Sequence, residues 1–212
     1  MHAVDALPGR RHGLSTSTKI TLSLAALLVS LGVAVTGTYA AFTASVSRGH
    51  QVSSATPVLS LGAVNASTNR LGVDAPNIGP GDSVYRAFDL TNSGTAKFTA
   101  VGMGIQVTTA SLLTTDATNG LQATLERCTG TGWVESGTSP NFTYTCSGTR
   151  STVVPKGAVA TLAATTTATA GLQALLPGGT DHLLLTETLP ATADNTFQSL
   201  TSSLTYIFNA ST

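Results

Sequence analysis

The chain has 212 residues, of which only 9% are charged, with ten basic side chains against ten acidic ones. That balance provides no basic patch able to neutralise phosphates, and it excludes a nucleic-acid partner. The polarity comes instead from Thr and Ser, which are poor helix-interior residues, and Thr favours strands.

The N-terminus reads as an export signal. Arg10, Arg11 and Lys19 form a basic n-region, and Ile20 to Val35 an apolar h-region. That run suits a signal peptide and is short of the roughly 20 apolar residues of a membrane span. An uncleaved anchor helix reaches that length only by including Gly37, Tyr39 and the alanines. The Arg10-Arg11 pair lacks the apolar residue and lysine of a twin-arginine signal and is read as an ordinary n-region. Ala40 supplies the small residue before the cut, so residues 1–40 are read as signal peptide, with cleavage between Ala40 and Ala41. The membrane is met only through the uncleaved signal. After the cut, seven basic side chains stand against nine acidic ones.

Residues 41–55 form a short alternating strand and linker. Phe42, Ala44 and Val46 lie on one face, with Thr43, Ser45 and Ser47 on the other, followed by a polar stretch around Arg48-Gly49-His50. An isolated strand with one apolar face needs a sheet edge. That edge belongs either to its own domain or to a neighbouring subunit.

From residue 56 to 212 period-2 runs dominate. Strands are expected at 58–64, at 83–90 after the Gly79-Pro80-Gly81-Asp82 turn, and at 98–107 after the Asn92-Ser93-Gly94-Thr95 turn. In the second, Val84, Phe88 and Leu90 face inward and Arg86 sits near the sheet edge. In the third, Gly102 and Gly104 suggest a bulge or a close backbone approach. A strand at 121–128 follows the Asn119-Gly120 turn. Trp133-Val134 and Phe142 to Cys146 form a hairpin region, and Gly157 to Ala164 a small-residue strand. Leu172 to Leu176 is a short helical or irregular link, and the last strands lie at 182–189 and 199–209. Roughly eight or nine short strands separated by turns indicate an all-β chain, a jelly-roll-like antiparallel β-sandwich in one domain behind the N-terminal signal-peptide helix.

Cys128 and Cys146 are the two cysteines. In an exported chain such a pair reads as a disulfide, worth about 3 kcal/mol for a loop of this size. Catalytic signatures do not occur: there is no His-Glu-x-x-His, no Gly-x-Ser-x-Gly and no Gly-x-x-x-x-Gly-Lys. The two histidines beyond the signal, His50 and His182, are too distant in sequence to suggest a zinc set. Asp74, Asp82, Asp116, Asp181 and Asp194 stand in turn contexts and read as Asx-turn formers, with no dense carboxylate loop for calcium. The residues point to no catalytic site, no metal, no cofactor and no enzyme.

Three stretches carry a resemblance. They are Gly37-Thr38-Tyr39-Ala40-Ala41-Phe42-Thr43, then Pro80-Gly81-Asp82 with Phe88-Asp89-Leu90-Thr91-Asn92-Ser93-Gly94-Thr95, and then Asn195-Thr196-Phe197-Gln198 before the closing strand. Together, in that order, they resemble the TasA and camelysin family of secreted proteins, whose signals are cut by a SipW-type signal peptidase. The resemblance implies a jelly-roll sandwich secreted to the outside or cell wall of a Gram-positive-type bacterium. It also implies self-association into matrix or biofilm fibres, with Phe42, Ala44 and Val46 as a donor strand for the next subunit. Members called camelysin are described as metalloproteases, a less favoured reading here for want of ligands. A secreted binding module or adhesin is the remaining alternative, favoured if Trp133, Phe142 and Tyr144 form an exposed cluster.

Overall fold

The alternation of Ser83-Val84-Tyr85-Arg86-Ala87-Phe88-Asp89-Leu90 builds the strand on which the whole fold is arranged. In the computed structural model, which describes residues 54–163, 167–169 and 171–212, this strand is β2, Ser83–Asn92. Three-residue β1, Leu59–Leu61, pairs with its end, and β9, Thr180–Thr188, lies along its other side. β4, Gln122–Cys128, and β7, Arg150–Ala158, complete an antiparallel five-stranded sheet in the order β1-β2-β9-β4-β7. A second sheet is ordered β10-β3-β8, from Ser203–Ser211, Ala100–Thr109 and Thr167–Ala168. β5, Trp133–Thr138, and β6, Asn141–Cys146, form a separate hairpin.

The two sheets close on one core. Phe88, Leu90, Leu125, Leu183 and Leu185 meet Val101, Met103 and Ile105, all buried. Phe88 and Phe208 touch across the gap, with ring centroids 5.2 Å apart. The fold is therefore the all-β antiparallel sandwich that the alternation implies.

Several elements differ from the pattern expected of the sequence. The first strand is cut to three residues because the chain folds back at Gly62, where a Cβ would lie 2.2 Å from the Thr68 carbonyl oxygen. The expected strand at Gly157–Ala164 is instead the end of β7 followed by a helical turn, α2, Val159–Leu162. The strand itself runs earlier and carries Pro155, which hides the alternation. Pro155 and Lys156 bulge opposite Thr124, the position where an edge strand tolerates a missing donor. The register between β3 and β10 runs unbroken through Gly102 and Gly104, so no bulge lies there; the irregularity sits at Ser203/Leu204. The last strand starts at Ser203, after a left-handed turn at Ser199 with φ 56°. A short α1, Leu112–Thr115, was not expected; the Ser111 side chain caps it.

Asp82, Asp116 and Asp194 do hold turns, accepting from the backbone N–H of Gly79, Thr118 and Thr196. Asp181 does not. It is a buried residue of β9 that accepts from the Ala174 N–H at 2.7 Å and faces Arg127 at 3.4 Å, fixing the 3-10 turn Gln173–Leu175 against the sheet.

Candidate functional site

Two places in the fold combine chemistry with exposure. The first is the outer face of the five-stranded sheet. Residues alternating with the core set, Ala87 and Asp89 on β2, Leu184 and His182 on β9, and Cys128 on β4, point away from the sandwich and share a register. The β5–β6 hairpin lies over them, so Ala87 and Leu184 are 3% and 2% exposed although they face outward. Cys128 and Cys146 are bonded, with Cα atoms 5.5 Å apart.

His182 Nδ1 lies 2.6 Å from Asp89 Oδ1, and the Trp133 indole N–H donates to the His182 carbonyl at 3.0 Å. Gly132 passes so close that a Cβ there would sit 2.6 Å from the imidazole, and its φ of 91° suits glycine alone. At the far end of the hairpin the Arg70 guanidinium donates to both Glu135 oxygens, at 2.9 and 2.6 Å, and lies over the Phe142 ring. The Tyr144 hydroxyl donates to the same carboxylate at 2.8 Å. The hydrogen bond from Arg70 holds the Glu135 carboxyl below the ordinary range. Burial, reinforced by Glu135, pushes the Tyr144 phenol up to about 12.

Arg86 joins the same corner. It sits on β2 beyond the reach of β1, as an edge position, but it is 3% exposed rather than open. Its guanidinium donates to the carbonyls of Val73, Asp74, Tyr85 and Pro140, and burial lowers its pKa. A cleft of about 450 Å³ opens between the 65–76 loop and Ser139-Pro140, with both walls pinned by that guanidinium. Of the aromatic cluster considered from sequence, Phe142 is buried and Trp133 and Tyr144 are half-buried. An exposed binding platform is not what they form.

The second place is β10. It is paired with β3 on one side and has no strand on the other among the described residues. Its inward residues Leu204, Tyr206 and Phe208 pack on the core yet remain only half-buried. The Tyr206 hydroxyl donates to Glu187 Oε1 at 2.7 Å. Desolvation among its neighbours raises the Glu187 carboxyl, and burial with the nearby carboxylate raises Tyr206 well above its usual value.

Of the residues singled out from sequence, Ala40, Ala41, Phe42, Ala44, Val46 and His50 lie outside the described residues. Cys128 and Cys146 are together, and His182 stands beside them. The Arg70–Glu135, Asp89–His182 and Glu187–Tyr206 contacts were not foreseen. Their partners are 65, 93 and 19 residues apart, and no local spacing announces them.

The profile of a family described as Camelysin metallo-endopeptidase matches residues 15–126, more than half of the chain. The chain belongs to that family. No curated protein matches it. Camelysin-family proteins are extracellular or membrane-associated, and among the described residues no helix is long and apolar enough to cross a membrane.

The family description implies a metal, and the described residues do not fit one. The two cysteine sulfurs are spent on each other, His182 Nδ1 on Asp89, Glu135 on Arg70, and Glu126 on Arg150. No group of three His, Cys, Asp or Glu side chains converges among the described residues.

Proposed function

We propose that this camelysin-family chain is a secreted structural protein, a subunit of extracellular matrix or biofilm fibres. A SipW-type signal peptidase releases Ala41. The strand carrying Phe42, Ala44 and Val46 then leaves its own copy and lies along the sheet of the next, adding a strand by main-chain pairing. The observation that carries this reading is the edge of β10, nine residues long, which no strand among the described residues covers and whose inward Leu204, Tyr206 and Phe208 are half-buried. A donor of matching alternation would cover them. Burying Phe42 contributes about 1.5–3 kcal/mol, and each main-chain hydrogen bond about 1 kcal/mol. On this reading the protein is not an enzyme, needs no cofactor, and associates chiefly with copies of itself.

The test compares protein starting at Ala41 with protein starting at Arg48, and with Phe42→Asp, by sedimentation and negative-stain microscopy. Multimers are expected only from the first. Equal assembly by the shortened protein, or a strictly monomeric Ala41 form at high concentration, overturns the proposal. The family description supports a second reading, a metallo-endopeptidase, and chelator-sensitive casein cleavage with stoichiometric zinc in the same preparations would establish it instead.

A further inference from the structure

We propose that the β5–β6 hairpin is a flap latched by the Cys128–Cys146 disulfide. Reduction by an external dithiol lets it swing off the sheet, uncovering the Asp89–His182 pair and the Ala87–Leu184 strip while the sandwich stays folded. The core argues for this division first. Its buried cluster draws on β2, β3, β4, β7 and β9, and on half-buried residues of β10, but on no residue between 129 and 149. The sandwich therefore does not depend on the hairpin for its apolar packing.

The hairpin's own attachments are few. Phe142 is its one buried apolar side chain other than the cystine. Beyond that it covers Ala87 and Leu184 with half-buried Trp133 and Tyr144, and its other ties are polar: Trp133 to the His182 carbonyl, Arg70 to Glu135, and Arg86 to the Pro140 carbonyl at 3.1 Å. Its neck is the continuation of the β4–β7 ladder, with the Thr129 N–H donating to Thr149 at 3.0 Å. That neck is a natural hinge, because it stays paired when the hairpin lifts. The disulfide is the one link that cannot open by thermal fluctuation. It ties the end of β6 back to the sheet at Cys128. Segments held by little buried apolar area and many exposed hydrogen bonds open locally, below the global unfolding free energy.

What lies beneath is a histidine already oriented by a carboxylate. With the flap shut, Gly132 packs on the imidazole and the side chain keeps 29% of its surface; Asp89 keeps 24%. The redox step balances simply. A dithiol thiolate attacks one cystine sulfur and releases the other as a thiolate, and the dithiol's second thiolate then attacks its own sulfur in the mixed disulfide and releases the remaining cysteine. Cys128 and Cys146 take two electrons and two protons, and the dithiol leaves as its own disulfide.

The experiment uses the full chain with and without dithiothreitol, read by amide hydrogen exchange and by diethyl pyrocarbonate modification of His182 located by mass spectrometry. Exchange in residues 133–146 should rise about tenfold or more on reduction, and His182 labelling should rise with it, while β2, β9 and β10 keep their protection. The Cys128→Ser/Cys146→Ser variant should match the reduced protein. If it does not fold, the dithiothreitol-treated chain reads the same quantities. Unchanged protection of the hairpin after verified reduction, or simultaneous loss of protection across both sheets, overturns the proposal.

Discussion

Between the two sheets, side chains such as Leu183, Leu125 and Val154 are wholly buried and surrounded by other hydrocarbon. On the outside of the larger sheet, the hairpin is held by a covalent bond, a two-pronged ion pair and a handful of hydrogen bonds. The first region is stabilised by area removed from water, which is additive and insensitive to pH or thiols. The second is stabilised by a few specific contacts, each of which solution chemistry can cancel. A chain with so few charges has placed one of its ion pairs, Arg70–Glu135, where it secures a layer the apolar core does not reach.

The largest effect should come from the core. Leu183→Ala removes a fully buried side chain and is expected to cost about 2–5 kcal/mol in urea unfolding. Fluorescence of Trp133 and far-UV circular dichroism should report the same midpoint, because the hairpin has no sheet to sit on once the sandwich unfolds. Separate midpoints would show that the hairpin leaves the sheet even with the Cys128–Cys146 bond intact.

A smaller effect is expected at the boundary between hydrocarbon and polarity inside the sandwich. Tyr206→Phe withdraws the hydroxyl that donates to Glu187 and should cost about 1–2 kcal/mol, since the carboxyl stays behind without that donor. The pH dependence has a definite sign. Glu187 has a raised pKa in the folded state, so its protonated form favours folding, and that contribution is present in acid and lost as pH rises through the raised value. Glu187→Gln should therefore flatten the upper part of the stability–pH curve. A curve unchanged above the ordinary carboxylate range would refute the assignment.

The smallest effect belongs to the hairpin's ion pair. Arg70→Ala should cost about 0.5–1 kcal/mol, because both partners keep about a fifth of their surface and water screens them. Here the sign is opposite. Glu135 is held low, so its contribution is present above the ordinary carboxylate range and lost as pH falls through its folded value. Wild-type hairpin protection should fall in acid, and Arg70→Ala should remove that dependence.

Strands whose alternation is regular were legible from sequence. β10 alternates cleanly through Leu204, Tyr206 and Phe208, β2 puts Val84, Phe88 and Leu90 on one face with Arg86 interrupting them, and β4 and β9 each carry an inward apolar pair, Ala123/Leu125 and Leu183/Leu185. β7 was not, because Pro155 and the two bulges around Val153-Val154 shift its register against β4. Three of the five turn aspartates behaved as composition implies. Asp181 misled, since a short polar residue before an apolar run looks the same whether it starts a turn or lies buried beside an arginine. The cystine was readable from the count of cysteines once the N-terminal run is read as an export signal. The Asp89–His182 pair was not, because strand order β2-β9 places them side by side and sequence does not state strand order.

Cys128 and Arg150 are direct cross-strand partners on adjacent antiparallel strands. Everything between them, residues 129–149, leaves the sheet and returns to the same place. In evolutionary terms this is a cassette: an excursion that a tight turn could replace, and into which a different excursion could be written, with neither sheet asked to change its register. The sandwich and the cassette can thus diverge at different speeds, one constrained by the volume it must fill and the other free to acquire new surface chemistry.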